Sequence, residues 1–210
     1  MKKLNIGCGL SVHDDWINID NSLNAKLSKY PRFKYLLYKF GIFPKEYYDI
    51  KWPDNILVHN VKKGLPYKDN EVDFIFSSHF IEHLTKEEAK MFLKECLRTL
   101  KPGGLIRLST PDLWILINNY LSDFKKENIL ASENLLNLIT SDKKEKKHIV
   151  NLIYNDDRHW MIYDEFSLSN LLKSAGFKEI KKRNYKEGKM PDIDFLDNRP
   201  AESLYMEAKK

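Results

Sequence analysis

Ten residues separate Gly9 from Asp20, and that interval constrains the fold more than any other feature of the chain. Leu4-Asn5-Ile6-Gly7-Cys8-Gly9 is a short apolar strand running into a Gly-x-Gly turn, and Trp16–Asp20 (WINID) reads as a second strand ending in an acid. Parallel neighbours normally need a crossover of a dozen or more residues, usually a helix. Here a loop and a strand fill the interval, so the first helix is expected to be vestigial, a single turn around His13–Asp15. Glycine in the turn lets a ligand approach the backbone without meeting a Cβ. A carboxylate at the tip of the second strand suits two ribose hydroxyls, although a turn or N-cap aspartate looks the same in sequence. The third glycine of a dinucleotide fingerprint is missing, with Ser11, Val12 and His13 in its place. Without a helix N-terminus to receive a pyrophosphate, an NAD-dependent oxidoreductase is disfavoured.

The rest of the chain alternates strands and helices, which predicts an α/β fold. Ile56–Val61, Asp73–Ser77 (DFIFS) and Gly104–Ser109 (GLIRLS) read as strands. Thr85–Leu100 reads as a helix, opened by the Thr85/Glu88 capping-box pattern and stopped by Lys101-Pro102-Gly103-Gly104. The tail reads as a helix (Ser167–Ala175), a strand (Phe177–Arg183) and a final strand (Ser203–Lys209). At 210 residues there is room for one domain, 1–210, with two helical, aromatic-rich inserts at about 24–50 and 113–163 expected to form a lid or acceptor pocket. Hydrophobic residues make up 42% and charged residues 31%, and no window approaches the ~18 apolar residues of a membrane span. The formal charge of +5 permits an anionic ligand without calling for nucleic acid. The run Lys143–Lys147 reads as a solvated face, with an anion-binding surface as its alternative. Two cysteines outside any CxxC pair, and no apolar leader segment, point to a reducing, cytoplasmic setting.

Taken in order, LNIGCG, WINID, LPYKDNEVDFIFSSHFIEHL, LRTLKPGGLIRLSTPDL, RHWMIYDEFSLSNLLKSAGF and ESLYMEAKK resemble the class I S-adenosylmethionine-dependent methyltransferases. They are most like a small bacterial group often met beside glycosyltransferases. The likeness covers well over half the chain. It implies a Rossmann-like, mostly parallel seven-stranded sheet with an antiparallel C-terminal strand and helical inserts. It also implies S-adenosylmethionine as cofactor, S-adenosylhomocysteine as product, and a small-molecule or glycan acceptor. By the resemblance, Gly7, Cys8 and Gly9 line the methionine part of the cofactor and Asp20 holds the ribose. Asn60 stands where the family usually has an acid near the adenine amino group, and Ser78 and His79 end the fourth strand beside the sulfonium.

His79-Phe80-Ile81-Glu82-His83 also spells H-x-x-E-H, a zinc motif of some hydrolases. Because it sits at a strand-to-helix entry rather than within a helix, the expectation is substrate-pocket or structural residues and no metal, with His83 packed against the sheet. The alternatives are a metal-assisted methyltransferase, since a related E-x-x-E-H arrangement binds divalent metal in some methyltransferases, and a hydrolase. Asp112 either caps the next helix or faces substrate. Arg158, Trp160 and Tyr163 are expected toward the acceptor, with lid packing as the alternative for Trp160, and Arg199 and Glu202 are expected to pair. An alcohol acceptor needs a base, and neutral imidazole is available near pH 7, so His79 and then His159 are the candidates. The reading is therefore a methyltransferase acting on a small polar acceptor such as a sugar hydroxyl of glycan assembly. Its rivals are a nucleic-acid or protein methyltransferase and a non-catalytic module of the same fold.

Overall fold

A computed structural model describes residues 1–140 and 158–210, and the lysine run at 143–147 lies outside the described residues. Seven strands form one sheet in the order β3-β2-β1-β4-β5-β7-β6. They are β1 (Lys3–Ile6), β2 (Ile17–Asp20), β3 (Ile56–Val58), β4 (Val72–Ser78), β5 (Leu100–Pro111), β6 (Lys178–Arg183) and β7 (Ser203–Lys209). The first five pair in parallel, and β7 runs antiparallel to both β5 and β6. This is the mixed Rossmann-like sheet expected from the sequence. Strand order reverses at β1 and β4, so their carboxyl ends open a crevice suited to a ligand.

Short side chains replace the missing first crossover helix. Asn5 and Asn18 are buried on β1 and β2, and Asn5 Nδ2 donates to Asn18 Oδ1 (3.0 Å) and to Ser11 O (2.8 Å). Asn18 in turn accepts from His13 N–H (3.1 Å) and donates to His13 O (2.9 Å). Two buried amides thus satisfy backbone groups that a helix would satisfy internally. The turn at His13–Trp16, closed by Trp16 N–H to His13 O (3.1 Å), is the vestige expected.

The two faces of the sheet are covered differently. Along β4, Ile75 points to one side and Phe74 and Phe76 to the other, as strand alternation requires. Helices α4 (Lys86–Thr99) and α7 (Glu165–Ala175) cover the Ile75 side, placing Leu93, Cys96, Leu168 and Leu172 in the main core. Thr85 and Glu88 form the capping box of α4. On the Phe76 side the cover comes from the β6–β7 connection: Met190 and Leu196 pack with Trp16, Phe76 and Leu105. A short helix there, α8 (Ile193–Leu196), contributes Leu196 to that cover. The insert after β2 forms α1 (Leu23–Ser28), α2 (Pro31–Lys39) and α3 (Lys45–Tyr48), and the insert after β5 forms α5 (Leu113–Lys125) and α6 (Ala131–Thr140). Among the described residues, no helix is long and apolar enough to cross a membrane.

Candidate active site

A cavity of about 590 Å³ opens at the carboxyl ends of β1 and β4. Gly7, Cys8 and Gly9 form one wall, Ser78 and His79 the second, and Phe195, Asn198 and Arg199 of the β6–β7 connection the third. Gly7 and Gly9 both have positive φ, +69° and +53°. At Gly7 a Cβ would lie 2.9 Å from the Phe80 ring, whereas at Gly9 it would meet nothing within 4 Å. Gly9 therefore leaves an open backbone surface facing the cavity. Its N–H donates to Asp20 Oδ2 (2.9 Å), and Asp20 Oδ1 accepts from Ser22 N–H (2.7 Å). A carboxylate has about four acceptor positions, so two remain for hydroxyls. Burial, with the Asp20 charge second, pushes the Cys8 thiol up to about 12, so Cys8 lines the site as a neutral group rather than a nucleophile.

His79 follows β4 with φ +49°, a left-handed conformation costly for a residue with a side chain. Several contacts hold it there. Its N–H donates to Ser109 O (2.9 Å), Nε2 lies 2.8 Å from Ser203 Oγ, and Nδ1 lies 3.3 Å from Glu82 Oε1. Ser78 Oγ shares a 2.7 Å hydrogen bond with Ser109 Oγ.

The remaining predicted residues gather elsewhere. Trp160 N–H donates to the Glu82 carbonyl (2.8 Å), laying the segment from Arg158 onto the one-turn helix Ile81–His83. The Arg158 guanidinium lies 4.9 Å from the centre of the half-exposed Trp160 ring. His159 stacks edge-on against His83, ring centres 5.0 Å apart, and burial lowers its pKa below the usual 6.5. Tyr163 is buried, and burial followed by the Glu82 charge moves its phenol up to about 12. Asp112 caps α5, its Oδ1 accepting from Trp114 N–H (2.9 Å). Arg199 pairs with Glu202 at 3.0 Å. Asn60 caps the 3-10 turn Val61–Lys63 through Oδ1 to Lys62 N–H (3.0 Å) and is not part of the cavity wall. His83 meets His159 rather than packing into the sheet.

So His79 stands in the cavity wall, His159 stands with His83, and Glu82 lies between the two groups. Sequence reasoning missed Glu82 as this hinge and missed the wall from Phe195 to Arg199. The available signal for the wall was the apolar pair Phe195-Leu196 inside an otherwise polar stretch.

Residues 43–108 match a family model described as a methyltransferase domain. A demethylmenaquinone methyltransferase of Clavibacter sepedonicus is 29% identical over 134 residues, 62% of this chain and 50% of that protein. A ubiquinone/menaquinone biosynthesis C-methyltransferase of Ruegeria sp. (strain TM1040) is 31% identical over 128 residues, 60% and 46%. Among solved structures, a SAM-dependent methyltransferase from Archaeoglobus fulgidus superposes with TM-score 0.54 at 17% identity, covering 100% of this chain and 86% of that one. The chain has the fold of the class I S-adenosylmethionine-dependent methyltransferases and carries a segment that matches a methyltransferase-domain model. It spans about half the length of the curated relatives it matches. A further structure in this class, from Methanosarcina mazei, has TM-score 0.50 at 16% identity and covers 99% and 90%. S-adenosylmethionine is the cofactor of this class of methyltransferase, and the residues present fit it. The cavity has the size of a small-ligand site, Gly9 leaves room for close approach, and Asp20 retains acceptor positions.

Proposed function

We propose that this methyltransferase moves a methyl group from S-adenosylmethionine to a hydroxyl of a small polar acceptor, a sugar hydroxyl being the leading candidate. The observation that carries this reading is the open Gly9 surface beside the Asp20 carboxylate at the strand-order reversal. When bound, the cofactor supplies a methyl group on a positively charged sulfur, open to in-line displacement. Gly7, Cys8, Gly9, Ser78 and His79 enclose it, Asp20 accepts from its ribose, and the Phe195–Arg199 wall excludes water. His79 holds its Nδ1 toward Glu82, which leaves Nε2 to take the acceptor's proton in place of its present contact with Ser203. His159, the second imidazole considered for this role, meets His83 outside the cavity wall, so His79 is the base of this reading. The inserts at about 24–50 and 113–163, with Arg158, Trp160 and Tyr163, supply the acceptor pocket. Asp112 contributes there by fixing the start of α5.

A carbon acceptor is the second reading, favoured because the two relatives above are named for quinone methylation. One experiment separates the readings. Isothermal titration with S-adenosylmethionine and S-adenosylhomocysteine is followed by transfer of a labelled methyl group to nucleotide sugars and to demethylated quinones. Saturable cofactor binding, weakened at least ~10-fold by Asp20→Ala, with label on a sugar oxygen, supports the proposal. Label only on a quinone carbon selects the second reading. Failure to bind either nucleoside overturns both in favour of a non-catalytic module.

A further inference from the structure

We propose that Glu82, His83 and His159 form a binding site for a divalent transition-metal ion of the zinc class. The H-x-x-E-H run in the sequence suggested His79 and His83 as a chelating pair, but the fold turns His79 toward Ser203 and brings up His159 from 76 residues beyond His83. One donor atom from each of Glu82, His83 and His159 lies within 4.8 Å of the others.

Two independent features mark this as a site rather than a chance cluster. First, the Glu82 side chain is fully buried, yet Oε1 has no hydrogen-bond partner among the described residues. Oε2 is reached by Thr110 Oγ1 at a long 3.3 Å, and the ion-pair contact found for Glu82 is His79 Nδ1, also at 3.3 Å. A carboxylate removed from water needs a compensating cation, and no Lys or Arg among the described residues pairs with this one. Second, both imidazoles spend Nδ1 on a backbone carbonyl: His83 on Arg158 O and His159 on Leu138 O, each at 3.1 Å. A ring nitrogen facing a carbonyl carries the proton, so Nε2 carries the lone pair. Ring orientation fixed in this way is what metal-binding histidines show.

The scaffold holds the three donors together. Trp160 and Met161 N–H donate to the Glu82 carbonyl at 2.8 and 3.3 Å, so the two segments that carry the ligands are joined by backbone. Two imidazoles and one carboxylate favour zinc and its neighbours over magnesium or calcium, which prefer all-oxygen sets. Three protein ligands also leave a coordination position for water or an oxygen of a bound molecule. The site adjoins His79, and therefore the cavity, but its existence does not depend on the methyl acceptor.

The test is made on the full chain, stripped with chelator and titrated with Zn²⁺ alone, and separately with Co²⁺ followed by its visible absorption. One equivalent of Zn²⁺, a tetrahedral-type Co²⁺ spectrum and a raised melting temperature with metal are expected. Glu82→Gln, His83→Gln and His159→Gln should each weaken binding on the order of 100-fold, while His59→Gln, whose ring contacts Gly64 O instead, should not. Should Glu82→Gln fail to fold, the two half-buried histidine variants decide the question, with circular dichroism to show that they are native. No bound metal, or binding that survives His83→Gln and His159→Gln in folded protein, overturns the proposal. Loss of the metal site with cofactor binding intact would separate this proposal from the methyl-transfer reading.

Discussion

The two glycines of the first turn look equivalent in sequence and are not equivalent in the fold. Gly7 needs its lack of a side chain twice, for φ +69° and for the Phe80 ring, whose Cβ, Cγ and Cδ2 would all lie 2.9 Å from an added methyl group. Phe80 cannot easily give way, because its ring also packs edge-on against Phe92 of α4 at 5.3 Å. Gly9 needs only its backbone freedom and the open space in front of it. Gly7→Ala should therefore cost about 2–4 kcal/mol, the sum of left-handed strain and overpacking. Gly9→Ala should cost about 1–2 kcal/mol of stability, yet place a methyl group in the cavity proposed for the cofactor. In urea denaturation Gly7→Ala is the worse variant. In titration with S-adenosylhomocysteine Gly9→Ala, still folded, is the one that loses affinity. Combining Gly7→Ala with Phe80→Leu should restore part of the lost stability, a coupling expected only if the ring is the obstacle.

At the scale of elements, the β6–β7 connection covers the Phe76 side of the sheet, and a buried charge network holds it in place. Arg107 on β5 is fully buried, with Nε donating to Asp197 Oδ1 (2.9 Å) and Nη1 to Glu207 Oε1 (3.1 Å) and to Glu187 O (3.1 Å). Glu207 on β7 also accepts from Arg183 Nε (2.9 Å) and from the N–H groups of Lys189 and Met190. Two guanidinium groups thus face two carboxylates, and the loop backbone fills the remaining acceptor positions. Asp197→Ala leaves Arg107 buried without its main partner and should cost about 3–5 kcal/mol by denaturant unfolding. Because Asn198 and Arg199 follow directly and line the cavity, the same variant should also weaken cofactor binding. The strands and the glycine turn were legible in the sequence because apolar strands and a capped helix announce themselves by period, and the resemblance implied the seven-stranded sheet. This network was not, since Arg107 inside GLIRLS and Glu207 inside SLYMEAK read as ordinary exposed positions of alternating strands. The same blindness applies to the site. Gly7, Gly9 and His79 could be placed because they sit at strand ends, but the meeting of Glu82 with His159 depends on a chain reversal that no local pattern encodes.

At the scale of the whole sheet, the edge opposite the cavity is laced by ion pairs among the described residues. Asp73 accepts from Lys101 Nζ (2.8 Å) and from Lys2 N–H (2.7 Å), Glu71 pairs with Lys2, and Glu95 takes a two-pronged contact from Arg98, 2.9 Å on each oxygen. The partners hold all three carboxyls below their usual values: Lys101 and then the Lys2 amide for Asp73, the Lys2 side chain for Glu71, and Arg98 for Glu95. Since the folded chain binds these protons less readily than the unfolded one, the unfolded chain takes up more protons as pH falls. Their stabilisation is complete above the ordinary values of 3.8 and 4.5 and is lost on descent through the depressed ones. A melting-temperature profile should therefore be flat with respect to these groups above about pH 5.5 and fall steeply below about pH 4. Asp73→Asn combined with Glu95→Gln should lower the plateau and flatten the acid limb together. High salt should erode only the more exposed pairs, because screening acts least where Lys2 and Arg98 are partly buried. An acid limb unchanged by the double variant would mean that the edge opposite the cavity does not anchor the sheet.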